Sequence, residues 1–370
     1  MKRWQKVALA IVALFAILAG VVVWLGWSLG AHLEGERLRR VEASPNHGGD
    51  KFVNVEPEAD FEITWDAVYG TFYGPEQREP PAELPVVALD PATLRGTPQP
   101  GLRTTWLGHA SVLVEIDGHR VMIDPVLSER ASPFSSLGPR RFHPPPIRLE
   151  NVTGIDAVVI SHNHYDHMDK ATLVHLAGQG AHIFVPLGSG TFLERWNVPT
   201  ALIHELDWWQ EETLGGLTIV ATPARHYSGR GMFDYQATLW ASWSILGPEH
   251  RVFYSGDSGY SKQFAEIGQR YGPFDVNVIK IGAYGPGQGW IDIHMPPEQS
   301  IQVHLDVGGK RMLPVHWATF NLARHAWDEP IKRALAAATS KNVELLTPRL
   351  GETVDATLPT DNRAWWAEIR

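Results

Sequence analysis

The stretch of sequence that decides the fold is Ser161-His162-Asn163-His164-Tyr165-Asp166-His167. It follows a mostly apolar, β-branched segment at 155–160, which predicts a buried strand. Because alternate residues of an extended chain point to the same side, the first two histidines can face one point. A turn after them can direct the aspartate and the last histidine towards a second point. A polar surface loop is the alternative, but this density of imidazole and carboxylate donors predicts a metal site, and such donors suit zinc.

Three more side chains of the kind that binds metals follow predicted strands at 217–221, 252–254 and 311–315, namely His226, Asp257 and His316. Taken singly, each has an ordinary alternative role as a capping, core or turn residue. Together with the first motif, they predict one site built where several strands end. The alternation of strands and helices along the chain predicts an α/β fold of sheets covered by helices.

The ligand order His-x-His-x-Asp-His, then His, Asp and His, resembles that of the metallo-β-lactamase superfamily. Within it, the chain resembles the N-acylphosphatidylethanolamine-hydrolysing phospholipase D family, as a bacterial, membrane-anchored relative. The segments that carry this resemblance are 44–47, 105–110, 131–133, 205–209, 256–260, 264–268, 272–275, 281–284 and 316–320. The resemblance spans roughly residues 44–353. It implies the αβ/βα four-layer sandwich of the superfamily.

The resemblance also implies a metal centre with two Zn²⁺ per chain, about 3.5 to 4 Å apart. It assigns to the first metal the ligands His162, His164 and His226, and to the second the ligands Asp166, His167 and His316. Asp257 corresponds to the carboxylate that bridges the two metals, and Asp166 counts as catalytic as well as metal-binding. The expected nucleophile is a hydroxide that the metals generate from water.

Four further residues are expected near the substrate or behind the ligands. His294 corresponds to an additional active-site histidine, which protonates the leaving alcohol or binds phosphate; a histidine at a helix start is the alternative. Tyr165 is expected to contact substrate. Asp124 and His109 are expected to orient ligands without binding metal themselves. Residues next to His294 differ from those at the same positions in the animal enzymes of the family. The acyl-chain and head-group preference of those enzymes therefore does not carry over to this sequence.

An apolar segment without charge at 7–29 is long enough, at about 1.5 Å per residue, to cross a hydrocarbon core of ~30 Å. Basic residues precede it, and tryptophans lie at both ends, at Trp4, Trp24 and Trp27. A cleaved signal peptide or a buried helix is the alternative, but the segment is longer than a usual signal core. We expect an uncleaved signal anchor, and hence a single-pass membrane protein with its catalytic domain on the external, periplasmic side.

The predicted organisation has four parts. They are a short basic N-terminus at 1–6, the transmembrane helix at 7–29, a wrap or linker at 30–101 and the catalytic domain at 102–370. The formal net charge of −9 argues against a nucleic-acid partner, and the absence of cysteine excludes disulfides and thiolate ligands. Association into an oligomer is compatible with the sequence.

These observations predict a dinuclear zinc phosphodiesterase that acts on a phospholipid in a membrane. The expected reaction hydrolyses N-acylphosphatidylethanolamine to phosphatidate and an N-acylethanolamine. Three alternatives remain from the sequence: another hydrolase of the same fold such as a lactonase, an iron redox protein, and a non-catalytic membrane scaffold. The long family segments disfavour the first, and the dense ligand set disfavours the last.

Overall fold

The computed structural model describes residues 2–57, 59, 76–285, 287–359 and 362–370. Its architecture is a pair of seven-stranded sheets with helices on their outer faces. The predicted wrap at 30–101 falls partly on residues 58 and 60–75, which lie outside the described residues. The division of the chain at residues 6, 29 and 101 stays a prediction.

The first sheet has the strand order β14-β1-β2-β3-β4-β5-β6. Its strands are β1 (Leu102–Gly108), β2 (Ser111–Ile116), β3 (His119–Ile123), β4 (Ala157–Val159), β5 (His182–Pro186), β6 (Ile203–Leu206) and β14 (Thr353–Asp355). Strands β1 to β3 are antiparallel, and β3 to β6 run parallel. Strands β2 and β3 are joined by a hairpin turn with positive φ at Asp117 and Gly118, as the Asp-Gly pair favours.

The second sheet has the order β13-β12-β11-β10-β9-β8-β7. Its strands are β7 (Glu211–Leu214), β8 (Leu217–Thr222), β9 (Ser242–Leu246), β10 (Arg251–Tyr254), β11 (Phe274–Lys280), β12 (Gly309–Val315) and β13 (Glu344–Leu345). Strands β7 to β10 are antiparallel, and β10 to β13 run parallel. The ends of β8, β10 and β12 therefore deliver the loops that were predicted to carry ligands.

The helices are α1 (Arg3–Leu29), α2 (Gly35–Glu42), α3 (Lys170–Gly178), α4 (Gly190–Arg195), α5 (Gln263–Tyr271), α6 (Gln288–Ile291), α7 (Pro297–Asp306) and α8 (Glu329–Lys341). Side chains of both sheets share the largest buried cluster, which places the main core between the sheets. A second cluster joins α3 and α4 to the outer face of the first sheet. Helices α7 and α8 cover the second sheet. The predicted four-layer α/β sandwich is therefore confirmed.

Helix α1 begins at Arg3, a few residues earlier than the apolar segment, because the basic flank continues the helix. It has the length and composition of a membrane span, and its most apolar window is not buried within the protein. A signal sequence has the same properties. Beyond α1, Val41 and Phe52 are buried in the main core, so the segment after the helix packs on the sandwich.

Candidate metal centre

Three imidazole rings converge at the ends of β4 and β8. His162 Nε2 lies 2.8 Å from His164 Nδ1, and His226 Nε2 lies 3.4 Å from the same nitrogen. Strand β4 ends just before the motif, so His162 and His164 continue its direction, while His226 arrives from the loop after β8. The three nitrogen atoms form one group of candidate metal ligands.

A second group lies beside the first and contains a carboxylate. Asp166 Oδ2 lies 3.3 Å from His167 Nε2 and 3.6 Å from His316 Nε2. His316 follows β12 directly and has a φ of 67°, an uncommon backbone conformation for a histidine that turns the chain sharply at the strand end. Its ring thereby joins residues that are about 150 positions earlier in the chain.

Asp257 lies against both groups. Its Oδ2 is 3.2 Å from His167 Nε2 and 3.1 Å from His316 Nε2, and it is 4.0 Å from His226 Nε2. The loop after β10 that carries Asp257 is buried between the two groups of histidines. This is the position that a bridging carboxylate needs.

Several of these ligand atoms lack a hydrogen-bond partner among the described residues, namely Asp257 Oδ1, His167 Nε2 and His316 Nε2. The two histidine nitrogens are close to carboxylate oxygens, but the angles do not suit a hydrogen bond. A buried polar atom without a partner costs about 1 to 3 kcal/mol. Divalent cations would satisfy all of these atoms at once, so the donor set fits a metal centre.

Asp124 holds the ligand rings from behind. Its carboxylate is fully buried and accepts hydrogen bonds from Ser161 N at 2.7 Å, from Tyr254 Oη and from His167 Nδ1 at 2.6 Å. Ser161 Oγ also donates to Asp124 and lies 2.9 Å from His162 Nδ1. Because the Nδ1 atoms of His162 and His167 face these partners, their Nε2 atoms point into the cluster.

His109 contacts the second group directly. Its Nε2 lies 2.9 Å from Asp166 Oδ2, and its ring centroid lies 3.9 Å from that of His316. Burial and the neighbouring His316 lower the pKa of His109 to about 3, so its ring is neutral and Nε2–H donates to the carboxylate. This geometry supports the expectation that His109 orients Asp166.

The three histidines of the first group are in the protonation state that a metal requires. Burial lowers the pKa of His164 to about 4, and burial with neighbouring imidazoles holds the pKa values of His162 and His226 well below their usual range. Neutral rings present a lone pair to a cation. The structure thus supplies three imidazole donors without the cost of removing a proton at neutral pH.

The two carboxylates are ionised. Burial alone would raise their pKa values, but the facing histidines hold the pKa of Asp257 and of Asp166 well below the usual range. In return, these carboxylates outweigh burial and raise the pKa values of His167 and His316. The second group is therefore an anionic pocket that attracts either protons or metal cations.

Comparison with known protein families agrees with this architecture of two facing sheets with donors at their strand ends. Residues 119–317 match the model of the beta-lactamase superfamily domain. The chain belongs to the metallo-β-lactamase superfamily. It is a metal-dependent hydrolase of this fold. Among solved structures, a metallo hydrolase of the archaeon Ignicoccus hospitalis superposes with a TM-score of 0.52 at 22% identity, covering 68% of this chain and 97% of that one. This likeness shows the shared fold.

Two curated relatives extend the comparison beyond the fold. An uncharacterised protein of Mycobacterium tuberculosis is 45% identical over 337 residues, 88% of each chain. The N-acyl-phosphatidylethanolamine-hydrolyzing phospholipase D 1 of Caenorhabditis elegans is 36% identical over 230 residues, 60% of this chain and 65% of that one. The predicted resemblance to the superfamily is therefore confirmed, with lipid-hydrolysing phospholipases among the relatives.

His294 lies beside the superfamily ligands on the segment between α6 and α7. Its Nδ1 is 3.8 Å from Asp257 Oδ2, and no described residue gives that nitrogen a hydrogen bond. The ring of Trp290 stacks on it with centroids 5.5 Å apart. Burial and nearby Lys280 hold the pKa of His294 well below its usual range, so its ring is neutral. The position suits the predicted contact with substrate.

Tyr165 sits within the superfamily motif but turns away from the ligands. Its hydroxyl donates to the carbonyl of Arg230 at 3.1 Å, and the guanidinium of that arginine lies 3.9 Å from the ring centroid. Tyr165 lines a cavity of about 730 Å³ that also borders the end of α1. Its predicted contact with substrate stays a prediction.

Lys280 is a buried cation near the site that the sequence reading missed. It ends β11, its Nζ has no hydrogen-bond partner among the described residues, and it is 1% exposed. Burial lowers its pKa to about 8, while Asp257 favours its charged form. The signal was available, because Lys280 is the one charged side chain in the apolar run 276–281.

Asn54 is a second residue that the sequence reading missed. Its side chain donates to the carbonyl of His226 at 2.7 Å and accepts from His226 N–H at 3.0 Å, which fixes the backbone of that ligand. The ring of the same residue is also held, because His226 Nδ1 donates to Ile293 O at 3.0 Å. The chain before the sandwich thus helps to place a ligand, and no local sequence pattern indicates it.

Replacing Asp124 by alanine is expected to lower kcat/KM by about 10- to 100-fold, because the ligand rings lose their orientation but the donor atoms stay. Steady-state kinetics and elemental analysis of the purified variant would measure both properties. Asp117→Ala is a suitable control, since that carboxylate serves the β2–β3 turn region and His250. Complete loss of bound metal from Asp124→Ala would identify Asp124 as a ligand and contradict the assignment.

Proposed function

We propose that this protein is a dinuclear zinc phosphodiesterase that hydrolyses N-acylphosphatidylethanolamine-type phospholipids to phosphatidate and an N-acylethanolamine. The observation that carries the proposal is the position of Asp257 against both groups of donors. Similarity to the Caenorhabditis elegans phospholipase supports the choice of substrate. The donors are all nitrogen and carboxylate oxygen, which suits zinc.

The residues that would hold the metals fall into the two groups described above. One metal would be bound by His162, His164 and His226, the other by Asp166, His167 and His316, and both by Asp257. When bound, two divalent ions supply an acidified water and positive charge opposite the phosphate. Asp124, His109 and Asn54 hold these side chains in place before substrate arrives, so little reorganisation is needed.

The remaining step is the departure of the alcohol. Hydrolysis forms a bond between a water oxygen and phosphorus and breaks the bond from phosphorus to the ethanolamine oxygen. The leaving oxygen needs a proton or a hydrogen bond. His294 is the nearby imidazole with a nitrogen that no described residue partners, and the negative charge of a bound phosphate would favour its protonated form. Lys280 adds a buried positive charge that acts on His294 and would favour an anionic phosphate.

We further propose that α1 is an uncleaved, single-pass anchor with the catalytic domain on the external side. Its length, its uninterrupted apolar composition and the exposure of its side chains support an anchor. Exposed tryptophans near its C-terminal end suit the membrane interface. The lipid substrate and the enzyme would then share one bilayer.

The function is tested with purified full-length protein, a total lipid extract and mass spectrometry of the lipids consumed and formed. We expect loss of N-acylphosphatidylethanolamines and matched gain of phosphatidate and N-acylethanolamines. Ethanol added to the assay should yield little phosphatidylethanol, because water attacks directly and no covalent phosphoenzyme exists to be intercepted. Abundant phosphatidylethanol would contradict the mechanism, and consumption of lactones in place of phospholipids would favour the lactonase alternative.

A further inference from the structure

The C-terminal end of α1 is attached to the catalytic domain through residues 229–235, here called the junction loop. Met232 N donates to the carbonyl of Gly26 at 3.2 Å, and Ala31 N donates to Asp234 Oδ2 at 2.9 Å. The buried Asp234 carboxylate also accepts from backbone N–H groups of its own loop. The helix end and the loop are therefore joined by shared hydrogen bonds, with no free linker between them.

Helix α4 contributes a second attachment. Arg195 donates to the carbonyls of Ser28 and Gly30, at the last turn of α1. Carbonyls at the C-terminal end of a helix lack partners within the helix and carry partial negative charge, so a guanidinium stabilises them. An added Cβ at Gly231 would collide with the backbone of Gly26 and Gly30. This close approach holds the loop firmly against the helix.

The junction loop also exposes large apolar side chains. Met232 is 59% exposed, Phe233 58% and Tyr235 54%. Trp24 and Trp27, in the same turn of α1 as Gly26, are similarly exposed. Exposed apolar side chains of this size beside the end of an apolar helix form a surface that water does not stabilise.

The depth of this surface follows from the helix. Tryptophans flank Gly26 at positions 24 and 27, and interfacial aromatic residues mark the level of the lipid head groups. Since Met232 is hydrogen-bonded to Gly26, the junction loop lies at that level whenever α1 spans the bilayer. The surface that covers Met232 and Phe233 is then the bilayer itself.

The same loop leads to the metal centre. The ring centroids of Tyr235 and Tyr227 are 5.7 Å apart, and those of Tyr227 and His164 are 4.5 Å apart. Gly229 N donates to the side chain of Asn163, between two predicted ligands, at 2.7 Å. A row of aromatic rings therefore connects the exposed end of the loop with the first group of histidines.

We propose that the junction loop is a docking surface for the lipid bilayer, with Met232, Phe233 and Tyr235 inserted at the head-group level. The row Tyr235–Tyr227–His164 then marks the side from which a lipid reaches the metal centre. This inference rests on the proposed anchor and deepens the proposed function, because it assigns the entrance of the site to the membrane side.

The absence of cysteine allows a direct test, since a single introduced thiol can be labelled selectively. Full-length Met232→Cys, Phe233→Cys and Leu335→Cys proteins are labelled with an environment-sensitive fluorophore and reconstituted in phosphatidylcholine vesicles that contain spin-labelled lipid. Leu335 is an exposed apolar residue on α8, in the helix layer of the second sheet, and serves as the matched control. We expect blue-shifted emission and strong quenching at 232 and 233, and neither at 335.

Each outcome decides the inference separately from catalysis, because the label reports depth without any substrate. One outcome would overturn the docking surface and leave the anchor intact. In it, the protein resists alkaline carbonate extraction, but the labels at 232 and 233 are as exposed to water as the label at 335. Release of the protein by carbonate would overturn the anchor and, with it, the docking surface. Failure to hydrolyse phospholipids would leave the quenching result unchanged and would count against the proposed function alone.

A functional comparison completes the test. Phe233→Asp should lower the rate on vesicle-borne substrate by roughly tenfold, because a carboxylate at the proposed entrance is unfavourable in the apolar boundary and repels the anionic phosphate of an approaching lipid. Leu335→Asp is the control and should leave the rate unchanged. Equal rates for the two variants would contradict a role of the loop in substrate access.

Discussion

Replacing Asp257 by alanine is expected to lower activity by more than about 100-fold, beyond the range of residues that only orient ligands. Its carboxylate lies within about 4 Å of histidine nitrogens in both groups of donors. Removing it would take away the proposed shared ligand and leave several buried imidazoles without a compensating anion. The measurement combines zinc content by elemental analysis with turnover of the lipid substrate.

Asp306→Ala is the matched control for this experiment. Asp306 is the last residue of α7, and its carboxylate accepts a hydrogen bond from Tyr260. Loss of this carboxylate should leave the zinc content unchanged. A fully active Asp257→Ala protein with both metals bound would refute the bridging role. Iron without zinc in the wild-type protein, grown with balanced metals, would favour the redox alternative.

Replacing His294 by alanine is also expected to have a large effect, a fall in kcat of about 10²- to 10⁴-fold if the imidazole protonates the leaving alcohol. His294 Nδ1 is 3.8 Å from Asp257 Oδ2 and unpartnered, so the ring can be removed without breaking a hydrogen bond at that atom. Zinc content should therefore remain at the wild-type value. Kinetics on a soluble phosphodiester would separate kcat from KM.

His294→Gln distinguishes the two roles that the position allows. An amide can donate a hydrogen bond to phosphate but cannot release a proton, so partial recovery over alanine would indicate phosphate binding. His175→Ala on α3 is the control, since that ring contacts Val152 and Gln179. Loss of zinc from His294→Ala would instead make His294 a metal ligand and contradict the proposed role.

Much of the site could be predicted because its signals are local. The first motif directly follows β4, and Asp257 and His316 lie just after β10 and β12. A predicted strand followed at once by a metal-binding type of residue therefore indicates that this residue lies at the edge of the sheet where the strands end. The turn at Asp117 and Gly118 is equally local. The resemblance to a known family then grouped these donors into two sets, which stay a prediction; the structure gathers each set into a cluster, with His109 added to the second.

The residues that escaped prediction act across long separations in sequence. Asn54 is 172 residues from His226, and Arg195 is 165 residues from Gly30. No period or spacing records such contacts, because they depend on how the layers pack. Lys280 is different, since a lone lysine within an apolar strand was visible and its burial could have been suspected.

The rigid attachment of α1 by Arg195 and Asp234 has a consequence for the supply of lipid. A catalytic domain on a flexible tether could tilt and sample its surroundings, whereas the proposed anchor would hold this one at a constant height above a single leaflet. Lipids of the opposite leaflet would have to cross the bilayer before they could be hydrolysed. Transbilayer traffic, as well as the abundance of the lipid, would therefore limit how much substrate the enzyme consumes.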